Sequence, residues 1–197
     1  MAGTLVLFDF DGTITRSDTL FSFTKHSVSQ TRYFFGLIVL SPVLVLHKLG
    51  LVGSQATKEI FLSWYFNGIP LTVFNENGRS YSPVIDKITR PAAKKEILNH
   101  KKQGHRILVV SASAENWIAP WAESHQLELL ATKLHVVDGR ITGKIDGENC
   151  NGPEKVNRIK SYLRPGDYEK IIVYGDSKGD REMLALGTET HYKPFRD

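Results

Sequence analysis

The chain has 197 residues, 41% of them apolar and 23% charged, with a formal charge of +4. This is the composition of a globular protein made of one domain with an insertion, or one domain and a small second one, and it excludes a disordered chain. So mild a charge gives no reason to expect nucleic-acid binding, and a single cysteine, Cys150, excludes an intramolecular disulfide and suits a reducing compartment.

The first predicted element is an apolar strand, Thr4 to Phe8, that runs into Asp9 and Asp11 and then a Gly12-Thr13 turn. Residues two apart on an extended chain point to the same side, so two carboxylates stand together at the end of a buried strand. Like charges repel there unless a cation sits between them or they carry out chemistry. The chain enters this strand at once, with no cleavable signal expected, which predicts a cytoplasmic location.

Residues 16–88 lose strand–helix alternation and read as packed helices, with aromatics such as Phe21, Phe23, Phe34, Phe35, Phe61 and Trp64 in the core. Within them, 33–46 (YFFGLIVLSPVLVL) is too short to span a bilayer, which takes about 20 apolar residues. It is expected to be buried, with no stable membrane insertion; a greasy surface for membrane or an apolar substrate tail is the alternative.

Alternation resumes at Pro91. A helix over 91–103 stops at Gly104 and a strand over 106–111 ends at Ser111, in Ser111-Ala112-Ser113. The lysines and arginine at 94, 95, 101, 102 and 106 read as a solvated face. A helix over 114–125, a strand over 129–134 and an Asp138-Gly139 hairpin turn follow. Lys155 falls in the first turn of a helix over 153–163. The last strand, 170–174, runs into Gly175-Asp176-Ser177-Lys178-Gly179-Asp180, and a helix over 179–186 closes the pattern. Repeated βα units predict a parallel α/β sheet with helices on both faces, and ligands bind at the carboxyl ends of such strands.

Taken in order, Asp9 with Asp11, Ser111, Lys155, and Asp176 with Asp180 match four motifs, and the chain resembles a haloacid-dehalogenase-superfamily hydrolase of the phosphoserine-phosphatase-like group. The resemblance implies a three-layer Rossmann-like core, residues 1–15 and 89–197, and a helical cap, 16–88, inserted after the first strand. It implies magnesium-dependent hydrolysis of a small phosphomonoester. Asp9 would be the nucleophile that forms an aspartyl-phosphate, and Asp11 the general acid and then base. Mg2+ would be held by the Asp9 side chain, the Asp11 backbone carbonyl and Asp176. Ser111 and Lys155 would hold phosphoryl oxygens with help from the amides after Asp9 and at Ala112, and Gly12 and Thr13 would share in that binding. Asp180 would orient Lys155 or hold a metal-bound water. Dehalogenases of this superfamily resemble Asp-x-Tyr, and transport ATPases Asp-Lys-Thr-Gly-Thr; Asp11 therefore points to phosphomonoester hydrolysis, or to transfer onto another alcohol.

The chain departs from phosphoserine phosphatases at several places. Gly12 stands where they carry serine, and Asp18 where they carry a longer glutamate for the substrate ammonium. Ser111-Ala112-Ser113 replaces Ser-Gly-Gly, and Gly179 stands in an asparagine position. Arg32 and Lys58 are the candidates for a cap cation. A less polar phosphomonoester than phosphoserine is expected; the oligomeric state is left open.

Overall fold

The computed structural model describes residues 3–196. β1 (Thr4–Phe8) and a tight turn lead into consecutive helices α1 (Thr19–Ser27), α2 (Gln30–Lys48), α3 (Ser54–Phe66) and α4 (Leu71–Ile88). Then come α5 (Pro91–Lys102), β2 (Arg106–Ala114), α6 (Glu115–Ser124), β3 (Glu128–Thr132), and a hairpin of β4 (Leu134–Val137) with β5 (Arg140–Ile145). The chain closes with α7 (Pro153–Tyr162), β6 (Lys170–Gly175), α8 (Arg181–Leu184) and β7 (Glu189–Tyr192).

The main sheet has strand order β3-β2-β1-β6-β7, with every neighbouring pair parallel. β1 is central, which explains its unbroken apolar run: both faces are covered. Val6 and Phe8 pack into one cluster with Phe10 and Trp121, whereas Leu5 and Leu7 pack into another with Ile159 and Met183. Phe8 is level with Val109 on β2 and Tyr174 on β6. Asp9 and Asp176 therefore leave the sheet together at its carboxyl edge, beside Ser111, which is still paired with Ala131.

Start signals are local. Asp18 caps α1 by accepting the Leu20 amide at 2.8 Å, and proline opens α5 and α7. The backbone of the inserted helices leaves and returns side by side: the Arg16 amide donates to Ile88 at 2.9 Å and Arg90 to Ile14 at 2.8 Å. Phe23 of α1 stacks on Trp117 of α6 at 4.7 Å between ring centres and meets Phe66, Phe74 and Tyr81 edge-on or tilted.

The structure differs from the sequence reading in four places. β2 runs on to Ala114 through an irregularity after Ser111, because Ala114 still pairs with Thr132. The predicted helix over 179–186 is a single 3-10 turn, Lys178–Asp180, followed by the four residues of α8. β7 was not anticipated; its short run Glu189–Tyr192 alternates with solvent as an edge strand does. Residues 33–46 are not buried. They lie within α2, where only Tyr33, Gly36 and Leu40 are enclosed and Phe34, Phe35, Ile38, Val39, Val45 and Leu46 are exposed. By length and composition alone, α2 is apolar enough to cross a membrane.

Candidate active site

The site is built around Asp9, the first residue after β1. Its amide donates to Tyr174 at 2.9 Å, which fixes the backbone against β6. Lys155 Nζ reaches from the first turn of α7 to donate to Asp9 Oδ1 at 2.6 Å, Asp180 Oδ1 at 2.7 Å and the Val110 carbonyl at 2.9 Å. Thr13 Oγ1 donates to the other oxygen, Asp9 Oδ2, at 3.0 Å. All of these side chains are buried. Burial pushes the Asp9 carboxyl up to about 7, with the Lys155 ammonium opposing. Burial also works against the charge on Lys155, but Asp9 and Asp180 outweigh it and hold the ammonium above its ordinary value. For Asp180, burial is likewise outweighed by Lys155 and the Ser177 contacts, so its carboxyl lies below the usual range.

Asp11 is gripped by different donors. Its Oδ1 accepts the Thr19 amide at 2.7 Å, and its Oδ2 accepts the Ser113 hydroxyl at 2.6 Å. Thr19 Oγ1 donates to Ser113 Oγ at 3.0 Å and accepts from Trp117 Nε1 at 3.1 Å. A chain of donors thus runs from Trp117 through Thr19 and Ser113 to the Asp11 carboxylate. Ser111 itself is fully buried, and its hydroxyl accepts the Ser113 amide at 3.0 Å.

Gly12 has φ +83°, and a Cβ there would lie 2.4 Å from Asp176 Oδ2. Only glycine allows the turn to pass this close to Asp176. Asp176 also meets the Arg196 guanidinium. Burial raises its carboxyl, with Arg196 opposing. Carboxylate oxygens of Asp9, Asp176 and Asp180 lie within 4.8 Å of one another. Asp180 Oδ2 already accepts the amides of Asp176 and Ser177 and the Ser177 hydroxyl, at 3.1, 2.9 and 2.8 Å. That leaves Asp9 and Asp176 as hard oxygen donors, and burial raises both carboxyls despite Lys155 and Arg196 beside them. Such a donor set fits a magnesium ion.

These groups open onto a cavity of about 290 Å3. Asp9, Asp11, Lys155 and Asp180 form its floor, Ala112 and Ser113 one side, and Leu20, Phe21, Leu44 and Phe61 of the inserted helices the apolar part of its roof. Asp18 and Lys58 line it as well. Lys58 Nζ donates to the Ala112 carbonyl at 2.6 Å and to Asn149 Oδ1 at 2.8 Å. Burial pulls the Lys58 ammonium down to about 8, with Asp11 and Asp18 opposing. The surrounding protein, and then Asp11, push the Asp18 carboxyl up to about 6, although the residue keeps enough exposure for water to temper that shift. Arg32 is not at the cavity; its guanidinium donates to the Tyr65 carbonyl at 2.8 Å.

Sequence reasoning missed the roles of Ser113, Thr19 and Trp117. Ser113 carried one signal, a hydroxyl where the phosphoserine enzymes have glycine. Thr19 carried none, because its partners lie 94 and 98 residues further on.

Residues 6–185 match the family model described as haloacid dehalogenase-like hydrolase. Protein CicA of Caulobacter vibrioides is 32% identical over 98% of this chain and 86% of its own length. The phosphoserine phosphatase of Archaeoglobus fulgidus is 24% identical over 91% of this chain and 49% of its own. In fold, a crystal structure of a Bordetella pertussis Tohama I protein of unknown function superposes with a TM-score of 0.81 at 22% identity, covering 96% of this chain and 89% of the other. A parallel sheet whose carboxyl edge gathers these acids and one lysine therefore has a family: the chain belongs to the haloacid dehalogenase-like hydrolases.

Proposed function

We propose that the protein hydrolyses a small phosphomonoester, with magnesium, through a phosphoryl group carried on Asp9. One observation carries this reading: a buried Asp9 carboxylate, clamped by Lys155 and Thr13, faces a cavity beside a second carboxylate, Asp11, that has its own separate donors.

Asp9 attacks phosphorus, and the bond from phosphorus to the ester oxygen breaks. Asp11 gives its proton to the departing alkoxide, so the alcohol leaves neutral. Asp11, now a carboxylate, takes a proton from water. That water attacks the aspartyl-phosphate, frees inorganic phosphate and restores Asp9. The ammonium of Lys155 stands beside Asp9 throughout and offsets the charge that gathers on the phosphoryl oxygens, with the amide of Ala112 and the turn at Gly12 and Thr13 assisting. Ser111 supports this wall of the site through the Ser113 amide. Asp180 keeps Lys155 in place. Magnesium would be held by the Asp9 and Asp176 side chains and the Asp11 backbone carbonyl, and when bound it supplies positive charge that lets a carboxylate approach an anionic phosphate.

Residues 16–88 act in this reading as a cap that reads the rest of the substrate and keeps bulk water out. Lys58 already donates to two oxygens and Asp18 already accepts the Leu20 amide at the start of α1, so neither is free to pair fully with a zwitterionic amino acid. The roof is apolar. A phosphomonoester less polar than phosphoserine is the better fit.

The test is turnover of a panel of soluble phosphomonoesters by the chelated protein, with and without added magnesium. Magnesium should restore activity that chelation removes, and phosphoserine should not lead the panel. Undiminished turnover after exhaustive chelation contradicts the metal assignment, and a tenfold preference for phosphoserine contradicts the reading of the cap.

A further inference from the structure

α2 turns an apolar stripe to solvent. Phe34, Phe35, Ile38, Val39, Val45 and Leu46 recur at spacings of 4 and 7, which sets them along one face of the helix. The stripe continues past the helix end into Leu49 and Leu51, and the exposures of Ile38, Leu49 and Leu51 are 70%, 67% and 72%. A contiguous apolar patch of this kind on a phosphatase marks a contact with something.

Charge says with what. None of the 21 acidic residues of the chain falls between Asp18 and Glu59. That stretch carries Lys25, Arg32, Lys48 and Lys58; the first three are exposed, and Arg32 and Lys48 stand near the two ends of α2. A helix that is apolar in its middle, cationic near its ends and itself free of carboxylates suits an anionic lipid surface. A second copy of the same face would bring Lys25 and Lys48 against like charges.

The helix is held so that it cannot simply leave the protein and span a bilayer. Gly36 lies so close to α3 that a Cβ would sit 2.3 Å from the rings of Trp64 and Tyr65. The Tyr65 hydroxyl donates to the Tyr33 carbonyl at 2.7 Å, and Arg32 donates back to the Tyr65 carbonyl at 2.8 Å.

The same helix walls the active-site cavity through Leu44 and His47. We propose that the α2 face docks on an anionic lipid bilayer and that the enzyme takes its phosphomonoester from that surface, as an amphiphile whose phosphate meets Asp9 while its apolar part lies against Leu44, Phe21 and Phe61. The choice of substrate rests on the phosphatase reading above; the docking does not.

The experiment uses the whole chain and an Ile38→Glu/Val45→Glu variant, whose two changes face solvent and lie outside the cavity. Each is pelleted with vesicles of phosphatidylcholine, and with vesicles that also contain phosphatidylglycerol. Turnover is measured on a soluble aryl phosphate and on phosphatidic acid in the mixed vesicles. The wild type should pellet with the anionic vesicles and at least tenfold less with neutral ones. The variant should lose at least tenfold in pelleting and in turnover of phosphatidic acid, and keep its rate on the aryl phosphate. Equal pelleting with both vesicle types, or a wild-type dimer in solution that the variant breaks, overturns the docking. Docking with no preference for phosphatidic acid over the aryl phosphate overturns the substrate class. Wild type inert on every phosphomonoester would strike at the phosphatase reading, while the pelleting still decides the docking.

Discussion

Ser113 joins the hydroxyl chain from Trp117 and Thr19 to the carboxylate of Asp11. A hydrogen bond to a charged group contributes about 1.5–3 kcal/mol, so Ser113→Ala should cut kcat by roughly tenfold or more. KM should stay nearly unchanged, because the phosphate is held elsewhere; an unchanged kcat in steady-state kinetics would show that Asp11 does not depend on this donor. Asp9 makes a second residue-scale prediction. Its carboxyl is raised from 3.8 to about 7, so in this pH window the folded protein keeps a proton that the unfolded chain has released. Without metal, stability should therefore fall as pH rises through that window. Magnesium binds the deprotonated form, so it should raise Tm more at about pH 8 than at about pH 5. Calorimetric scans at the two pH values check this, and equal shifts would contradict it.

At the scale of elements, α1 and α4 are fastened to α6 beside the main sheet by aromatic rings. Phe23 is fully buried, stacked on Trp117 and edged by Phe74 and Tyr81. Phe23→Ala should cost about 3–5 kcal/mol by urea unfolding, since the rings around it cannot close over the gap. A loss below about 1 kcal/mol would mean that α1 is not anchored there. The strands that carry the site were legible in the sequence because β1 and β6 are buried apolar runs that end abruptly at acids. β7 and the break-up of 179–186 were not legible, because a four-residue edge strand and a single helical turn lack a period long enough to read. α2 misled for a different reason. An apolar run predicts burial, and sequence periodicity cannot say which apolar face the fold leaves uncovered.

At the scale of the molecule, the repeated strand–helix units and the order of motifs were enough to predict a parallel sheet and the edge at which Asp9, Lys155, Asp176 and Asp180 meet, though not which strand lies at its centre. The hydroxyl chain that reaches Asp11 through Ser113 was out of reach, because it joins residues about a hundred positions apart whose hydroxyls have no spacing of their own. What would unite the site, under the function proposed above, is the demand that Asp9 carry a phosphoryl group between two half-reactions. The direct measurement is acid quenching of the enzyme during turnover of a phosphomonoester with magnesium, followed by mass spectrometry of its peptides. The account predicts a phosphoryl adduct on Asp9 of the wild type, and neither adduct nor turnover in a folded Asp9→Asn variant. Full turnover by Asp9→Asn, or an adduct on another residue, would contradict it.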